Sequence, residues 1–461
     1  MNVVFITISQ VILALAMPYF FISLLLGVRA SRRASGGRLS NQESLEFLAG
    51  SATSSGSDEN KVTYFIVPCL NEAQVIGATV HYLLSETSGH VVVVDDASDD
   101  DTGKVAYEAA LKLSALDRFT TVRRELPYAR AGKGAALNAG YQVVLSKVAE
   151  SGVDRESVIV GVMDADGRMS KSGLFAALRG FKDNRVGAVQ LIVRIRNRKK
   201  LITRFQDVEF WMISAMSQFA RTVSGTVSLG GNAQFTRLTA LDMLGGEPWS
   251  DSLTEDLDLG IRLIEQGWRI TTVGDAFVDQ QAVEHYRQLL NQRTRWYQGH
   301  MMSIRRLPAL WRSGNVSQTA LLEVTAYLLV PWIIVLPWSI LQQWVLYELI
   351  FGRGQGIFAQ GLTSIPWQVG YGVMWYLLSF LPNIVVGVTY SKRTKSVSLP
   401  YALLLGHLMV IYNFVGYISA WRAVGRMIIG KGGWTKTARF DELAIGDDLT
   451  IDPGVGSRQG A

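Results

Sequence analysis

The chain of 461 residues is long enough for more than one structural unit. Hydrophobic residues make up 48% and charged residues 18%, and the apolar excess lies at the two ends, which argues against a wholly soluble protein. The net charge of +6 comes from basic residues beside apolar segments, a pattern that fits anionic lipid better than nucleic acid. The single cysteine, Cys69, excludes an internal disulfide and a multi-cysteine metal site, and its apolar surroundings predict a core position.

The chain begins with residues 1–28, which carry no charge and are long enough to span a bilayer. This stretch lacks the basic start of a cleaved signal peptide. Four arginines follow between positions 29 and 38, so we expect the end of the span to face the cytoplasm. Residues 29–60 are rich in Ser, Gly and Asn and predict a linker.

Residues 61–283 alternate predicted strands with predicted helices. Strands are predicted from β-branched apolar runs at Val62–Pro68, His90–Asp95 and Val158–Met163. Helices are predicted from the spacing of apolar residues at Ala73–Ser85 and Gly103–Ser114. This order indicates an α/β fold with a mostly parallel sheet and helices on both faces. Ligands bind such sheets at the carboxyl ends of the strands, where the polar clusters of this sequence lie.

Acidic residues follow two of the predicted strands. Asp164 and Asp166, in MDADG, are spaced so that both can reach a divalent cation at a strand end. Such a cation neutralises the charge that builds on a diphosphate leaving group. Asp95 and Asp96 end the second strand. They could accept hydrogen bonds from a base or ribose, or they could cap the following turn and helix.

Two further segments have both a structural and a chemical interpretation. The glycine-rich run Gly132–Gly140 carries Lys133 and could approach phosphate, or it could simply begin a helix. It does not have the spacing of a Walker A loop. Thr254–Asp256 opens an amphipathic helix predicted to run to Gly267. Acidic residues at a helix start are favoured as capping groups, and a carboxylate there could also serve as a general base.

Two later segments, Leu201–Arg221 and 284–318, place apolar residues at helical spacing. Such helices lie in the membrane plane or pack on a core, and periodicity alone does not separate these alternatives. Three apolar stretches follow within residues 319–421 and predict three or four membrane passes. Pro331 and Pro337 could break the first stretch. Basic segments on both sides of the last stretch favour the cytoplasm, so either the first stretch passes twice or one stretch is re-entrant.

Four motifs stand in a recognisable order along the chain. They are DDAS at Asp95–Ser98, DAD at Asp164–Asp166, TED at Thr254–Asp256 and QRTRW at Gln292–Trp296. Together they resemble the family-two (GT2) processive membrane glycosyltransferases, which include the cellulose, chitin, hyaluronan and poly-N-acetylglucosamine synthases. The resemblance covers about residues 60–310 by motif. It implies a Rossmann-like GT-A fold for residues 61–283, an inverting mechanism and dependence on Mg²⁺ or Mn²⁺.

The resemblance also implies roles for residues on the donor side. The nucleotide-sugar contacts would be Asp95, Asp96, Lys133, Asp164, Gln292, Arg293, Arg295 and Trp296. Asp164 and Asp166 would hold the metal at the diphosphate. Asp256, next to Glu255, would be the general base on the acceptor hydroxyl.

Two other segments resemble acceptor and gating elements of the family. Gly231 and Asn232, in LGGNAQF, fall where the family lines its acceptor site, and Trp296 would stack beneath the acceptor sugar. This loop departs from the cellulose and hyaluronan forms, which leaves the sugar open. The tail of residues 422–461 contains a segment like the family's gating loops, and we therefore expect the tail in the cytoplasm. That segment is Trp434, Thr435, Lys436 and Thr437, which could instead anchor at the membrane interface.

The resemblance implies a multi-pass plasma-membrane enzyme with a cytoplasmic catalytic domain. It would add sugar from a UDP-sugar to a growing β-linked polysaccharide and export the polymer. The alternative is a non-processive enzyme that glycosylates a lipid or a short oligosaccharide. A transporter or receptor with a degenerate domain is a further alternative, against which the intact carboxylates and QRTRW argue. The expected partners are the donor, the growing glycan and the lipid bilayer, with no nucleic acid and with room for an accessory subunit.

Overall fold

The computed structural model describes residues 21–22, 25–29, 61–169, 171–351, 365–394 and 397–432. Most of the predicted first span, the predicted linker from residue 30 on, and the predicted gating residues Trp434 to Thr437 lie outside the described residues.

Within the described residues, seven strands form one sheet in the order β3-β2-β1-β4-β6-β5-β7. In chain order they are β1 (Val62–Cys69), β2 (His90–Asp95), β3 (Phe119–Arg123), β4 (Val158–Val162), β5 (Val186–Ile195), β6 (Gln234–Arg237) and β7 (Arg269–Gln280). Among these strands, β6 alone runs antiparallel to its neighbours. The mostly parallel sheet is therefore confirmed.

The central strands are buried because helices cover both faces of the sheet. The helices of this part are α1 (Ile76–Glu86), α2 (Thr102–Lys112), α3 (Lys133–Ser151), α4 (Lys171–Arg179), α5 (Leu201–Val208), α6 (Ala215–Arg221), α7 (Leu238–Asp242) and α8 (Glu255–Glu265). One core layer joins the sheet to α3 and α8, and a second joins it to α1, α2 and α4. Cys69 lies in the second layer, as predicted.

The segment Leu201–Arg221 is one helical path in which α5 and α6 flank a π-helical segment, Glu209–Ser214. Phe205 and Val208 pack against Tyr390 and Leu405 of the C-terminal helices. Most of the apolar side of this segment is therefore covered by the chain itself, and its position relative to a membrane stays a prediction.

The segment that carries QRTRW forms α9 (Tyr286–Met302), and α10 (Leu307–Arg312) follows it. Leu289 of α9 packs against Val415, and Met301 packs against Ala420. Both partners lie on the last described helix. The helix α9, which carries QRTRW, therefore connects the sheet domain to the C-terminal helices.

The C-terminal part contains four helices, α11 (Gln318–Val330), α12 (Leu336–Phe351), α13 (Ile365–Thr394) and α14 (Leu399–Ile428). By length and composition, two described stretches could cross a membrane, Gln318–Trp344 and Leu399–Ile428. The three or four predicted passes stay a prediction.

Pro331 does not end the first of these stretches. The path continues through a π-helical segment, Pro331–Val335, into α12. Proline has no N–H to donate and its ring clashes with the preceding turn, and a locally wider helix accommodates both effects. Pro337 follows within the same continuous helical path, so the second proline does not end it either.

Candidate functional site

A cavity of about 570 Å³ lies at the carboxyl ends of β1, β2 and β4, where parallel sheets bind their ligands. It gathers residues that are far apart in the sequence. The predicted site residues that line it are Asp96, Lys133, Asp164, Gly231, Asn232, Glu255, Asp256, Gln292, Arg293, Arg295 and Trp296. The fold therefore brings together residues of all four motifs.

The two carboxylates that end β2 have separate positions. Asp95 is buried; its Oδ2 pairs with Arg123 Nη1 at 2.6 Å, and its Oδ1 accepts the Ser98 N–H at 2.8 Å. Asp96 lines the cavity, with its Oδ1 2.5 Å from Arg124 Nη1. Asp95 thus organises the turn, the structural alternative left open by the sequence, while Asp96 is the one placed to meet a ligand.

Lys133 occupies the centre of the donor end of the cavity. Gly132, with φ of +116°, leads into α3, and Lys133 is the first residue of that helix. Its Nζ lies 2.6 Å from Asp164 Oδ1, 3.8 Å from Glu255 Oε1, and donates to the Gly231 carbonyl at 2.8 Å. Burial lowers the pKa of Lys133, but the carboxylates of Asp164 and Glu255 outweigh it and hold the pKa above its usual value. The ammonium is therefore a fixed positive charge where phosphate would lie.

The helix predicted from Thr254–Asp256 begins at Glu255 as α8. Burial raises the pKa of the Glu255 carboxyl to about 7, and the neighbouring Asp256 carboxyl adds to the effect. Burial also raises the pKa of Asp256, against the opposing charge of Lys133. Two carboxyls whose pKa values are raised towards neutrality are suited to proton transfer.

The structure leaves little space for a side chain at Gly231. A Cβ at this position would lie 2.6 Å from Lys133 Nζ and 3.5 Å from Asp256 Oδ2. Glycine therefore keeps open the space between the lysine and the carboxylate. The acceptor contact predicted for Gly231 stays a prediction.

Asn232 lines the cavity, but its amide groups are engaged within the protein. Its Oδ1 accepts the Asp164 N–H at 3.2 Å, and its Nδ2 donates to Gln280 Oε1 at 3.1 Å. The side chain therefore positions the Asp164 loop, and the acceptor-side role implied by the resemblance stays a prediction.

Of the two carboxylates predicted to hold a metal, one lines the cavity and the other does not. Asp164 lines the cavity with 24% of its side chain exposed. Asp166 is fully buried outside the cavity lining, and its Oδ2 accepts the Gln281 N–H at 2.9 Å. Among the described residues no group of three or more His, Cys, Asp or Glu side chains could hold an ion. The residues fit a Mg²⁺ or Mn²⁺ ion bound by Asp164 together with phosphate oxygens.

The QRTRW motif faces the cavity from α9. Arg295 Nη1 donates to the Leu253 carbonyl at 2.9 Å, just before α8, which places its charge beside Glu255 and Asp256. Arg293 is buried, and its Nη2 lies 2.7 Å from Glu209 Oε2. Glu209 neutralises that guanidinium, and the nucleotide-sugar contact predicted for Arg293 stays a prediction.

Several residues of the site were not found from the sequence. Arg124 directly follows β3, Gln280 ends β7 and Glu209 lies in the π-helical segment. No motif marks them, because each acts through a partner that is distant in the chain. The parallel strand order was the one available signal, since the end of every such strand is a candidate site position.

The far end of the cavity reaches the first apolar helix of the C-terminal part. Tyr327, Val330, Pro331 and Val335 line it there, opposite Ser214 and Gln218. The cavity is therefore polar and charged at the strand ends and more apolar at the candidate membrane span.

A mostly parallel sheet with carboxylates and a lysine at its strand ends, faced by an Arg-Trp helix, defines a glycosyltransferase of the GT-A class. Residues 60–299, just over half of the chain, match the protein family described as Glycosyltransferase like family 2. The chain belongs to this family and is a glycosyltransferase.

Curated relatives include two kinds of synthase. The chain is 33% identical over 241 residues to a beta-monoglucosyldiacylglycerol synthase of Synechocystis, across 51% of this chain and 47% of the relative. It is 27% identical over 247 residues to a poly-beta-1,6-N-acetyl-D-glucosamine synthase of Staphylococcus aureus, across 52% of this chain and 55% of the relative. The matches thus span about half the length of these relatives.

A solved structure shares the fold. It is the mannosyltransferase PcManGT from Pyrobaculum calidifontis in complex with GDP-Man and Mn²⁺, with a TM-score of 0.54 and 19% identity. The likeness covers 92% of this chain and 100% of that one. At this identity the likeness supports the GT-A fold alone.

Proposed function

We propose that this family-two enzyme transfers a hexose from a UDP-sugar, with inversion, to the hydroxyl group of a membrane lipid. One observation carries the proposal. The cavity runs from the carboxylates at the strand ends to Val330, Pro331 and Val335, on a stretch of helix apolar enough to cross a membrane. An acceptor with a hydroxyl at one end and hydrocarbon at the other fits such a cavity. The glucosyldiacylglycerol synthases among the relatives support the same acceptor class.

The residues of the cavity divide the proposed chemistry between them. Asp96 binds the nucleoside end, and Lys133 and Arg295 lie where they neutralise the diphosphate. A divalent cation bound by Asp164 and the phosphates supplies further positive charge to the leaving group. Asp256 takes the proton of the acceptor hydroxyl. The acceptor oxygen then bonds to the anomeric carbon as the bond to the UDP oxygen breaks, so an α-linked donor yields a β-linked product.

Elongation of a β-linked polysaccharide with export across the plasma membrane is the second candidate. Trp296 lines the cavity and offers a flat ring on which an acceptor sugar could stack. The poly-N-acetylglucosamine synthases among the relatives, and QRTRW itself, favour this candidate. In both candidates the catalytic domain is cytoplasmic, because the donor is.

The deciding experiment uses the full chain in vesicles containing diacylglycerol. UDP-glucose, UDP-N-acetylglucosamine and UDP-glucuronate are supplied one at a time, and UDP release and product mass are measured. A lipid that carries one hexose as the sole product supports the lipid acceptor. A series of polymer masses would instead support polysaccharide elongation, the second candidate. Background UDP release from every donor would overturn both.

The metal part of the proposal has its own test. Chelation with EDTA should abolish UDP release, and added Mn²⁺ or Mg²⁺ should restore it. Asp164→Asn should raise the metal concentration needed for half-maximal activity, because the variant removes a charged ligand. The same shift should appear in a binding titration with Mn²⁺ and UDP without acceptor. Asp154→Asn, at a distant turn, is the control.

A further inference from the structure

Glu209 lies in the π-helical segment, and one of its carboxylate oxygens accepts hydrogen bonds from two other helices. Its Oε2 accepts hydrogen bonds from Arg293 Nη2 at 2.7 Å and from the Tyr412 hydroxyl at 2.7 Å. Arg293 belongs to QRTRW on α9, and Tyr412 belongs to α14. π-Helical segments inside α-helices frequently occur at functional sites. Here Glu209, the first residue of the segment, lines the cavity.

Arg293 in turn contacts Trp296, whose ring lines the cavity. Its guanidinium carbon lies 4.2 Å from the centroid of Trp296 and 5.4 Å from that of Phe210. The two rings meet edge to face, with centroids 6.0 Å apart. Gln292 Oε1 accepts a further hydrogen bond from Arg293 Nη1 at 2.7 Å. The plane of Trp296 is therefore set by a buried cation whose own position depends on Glu209.

The last described helix, α14, packs along α9. Arg426 Nε donates to Gln298 Oε1 at 2.6 Å, near the end of α9. Tyr297, next to Trp296, lies so close to Gly416 that a Cβ there would be 3.1 Å from its hydroxyl oxygen. The cavity lining does not include Tyr412, although it includes Glu209, Arg293 and Trp296. Tyr412 can therefore affect the acceptor only through these residues.

We propose that Tyr412 is a positioning residue that orients Trp296 for the acceptor through Glu209 and Arg293. The last candidate membrane span thereby takes part in acceptor binding although Tyr412 does not touch the cavity. This inference rests on the proposed function and on Trp296, which lines the cavity and would contact the acceptor in either candidate. The donor end is held by other contacts, so loss of Tyr412 should leave donor binding unchanged.

The test compares Tyr412→Phe with Tyr390→Phe in the full chain in vesicles. Tyr390 is a matched control because its hydroxyl donates to another buried carboxylate, Asp207 Oδ2, at 2.6 Å and also joins a C-terminal helix to α5. Misplacement of a binding group by about 1 Å can cost up to roughly 100-fold in rate. We expect Tyr412→Phe to raise the KM for the acceptor roughly 10-fold. The KM for the donor, and the rate of donor hydrolysis without acceptor, should not change.

Glu209→Gln provides the second variant, and it remains informative if Tyr412→Phe does not fold. It should shift the acceptor KM in the same direction, and combining both changes should shift it no further than Glu209→Gln alone. Tyr390→Phe should lower the unfolding temperature and leave the acceptor KM at the wild-type value. An equal shift in Tyr390→Phe, no shift in Tyr412→Phe, or an equal shift in donor KM overturns the inference. Wild-type enzyme without UDP release would instead overturn the proposed function and this inference with it.

Discussion

Most of the donor end of the cavity is held by strand ends, with Arg295 added from α9, whereas the acceptor end is held by α9 where it packs against the last described helix. At the donor end, Lys133, Asp164 and Asn232 are joined by short polar contacts within the sheet domain. At the acceptor end, Arg293 and Trp296 depend on Glu209 and on Tyr412 of α14. The donor end should therefore tolerate disturbance of the C-terminal helices, and the acceptor end should not.

Asp256 lies where the two ends meet, and its removal should have the largest effect. Because a general base contributes roughly 100- to 10,000-fold to rate, Asp256→Asn should lower kcat by that factor. The KM for the donor should stay near the wild-type value. Asp251→Asn, an exposed carboxylate in the preceding loop, is the matched control. Steady-state UDP release decides the matter, and near-normal turnover in Asp256→Asn would refute the base assignment.

Lys133→Met tests the donor end separately. The change removes the cation between Asp164 and Glu255, so kcat/KM for the donor should fall roughly 100-fold. The acceptor KM, measured at saturating donor, should be unchanged. Lys147→Met removes an exposed lysine on the same helix that pairs with Glu150, and it should behave as wild type. A rise in acceptor KM in Lys133→Met would show that the two ends are not independent.

Glu255 should make stability depend on pH in a defined window. Its pKa in the folded protein is about 7, above the ordinary value of 4.5, so the folded state holds the proton more tightly than the unfolded state. The contribution of Glu255 to the free energy of unfolding should therefore fall as pH rises from about 4.5 to about 7, by on the order of 3 kcal/mol.

Glu255→Gln should remove this contribution to the pH dependence, because glutamine does not titrate. Glu265→Gln, at the other end of the same helix, should retain it. Unfolding measured at a series of pH values in detergent compares the three proteins. A wild-type curve that runs parallel to the Glu255→Gln curve across the window would contradict the raised pKa of Glu255.

Gly416→Ala should have the smallest effect and should confine it to the acceptor end. The added Cβ would lie 3.1 Å from the Tyr297 hydroxyl oxygen, so Tyr297 must shift by a few tenths of an ångström. We expect a loss of about 1 kcal/mol in stability and a modest rise in acceptor KM. Gly425→Ala, on the same helix, meets no atom within 4 Å and should be neutral or stabilising. Thermal unfolding and acceptor kinetics of the two alanine variants give the comparison.

Much of the donor end could be predicted because its residues stand in short motifs at strand ends. Asp96, Lys133 and Asp164 were predicted this way and line the cavity, and the helix predicted to open at Thr254–Asp256 begins at Glu255. Asp95 and Asp166 belong to the same motifs, but the structure buries both outside the cavity lining. A motif shows which residues are close together in the chain, and burial decides which of them reach a ligand.

The sequence by itself determined the alternation of strands and helices, the apolar C-terminal stretches and the family motifs. These follow from periodicity and composition, which act over a few residues. Only the tertiary structure decided that Glu209 would join Arg293 to Tyr412, some 120 residues further along the chain, and that the cavity would extend to Pro331. Contacts across such separations depend on how helices pack, and no local pattern in a single sequence specifies the partner of a buried charge.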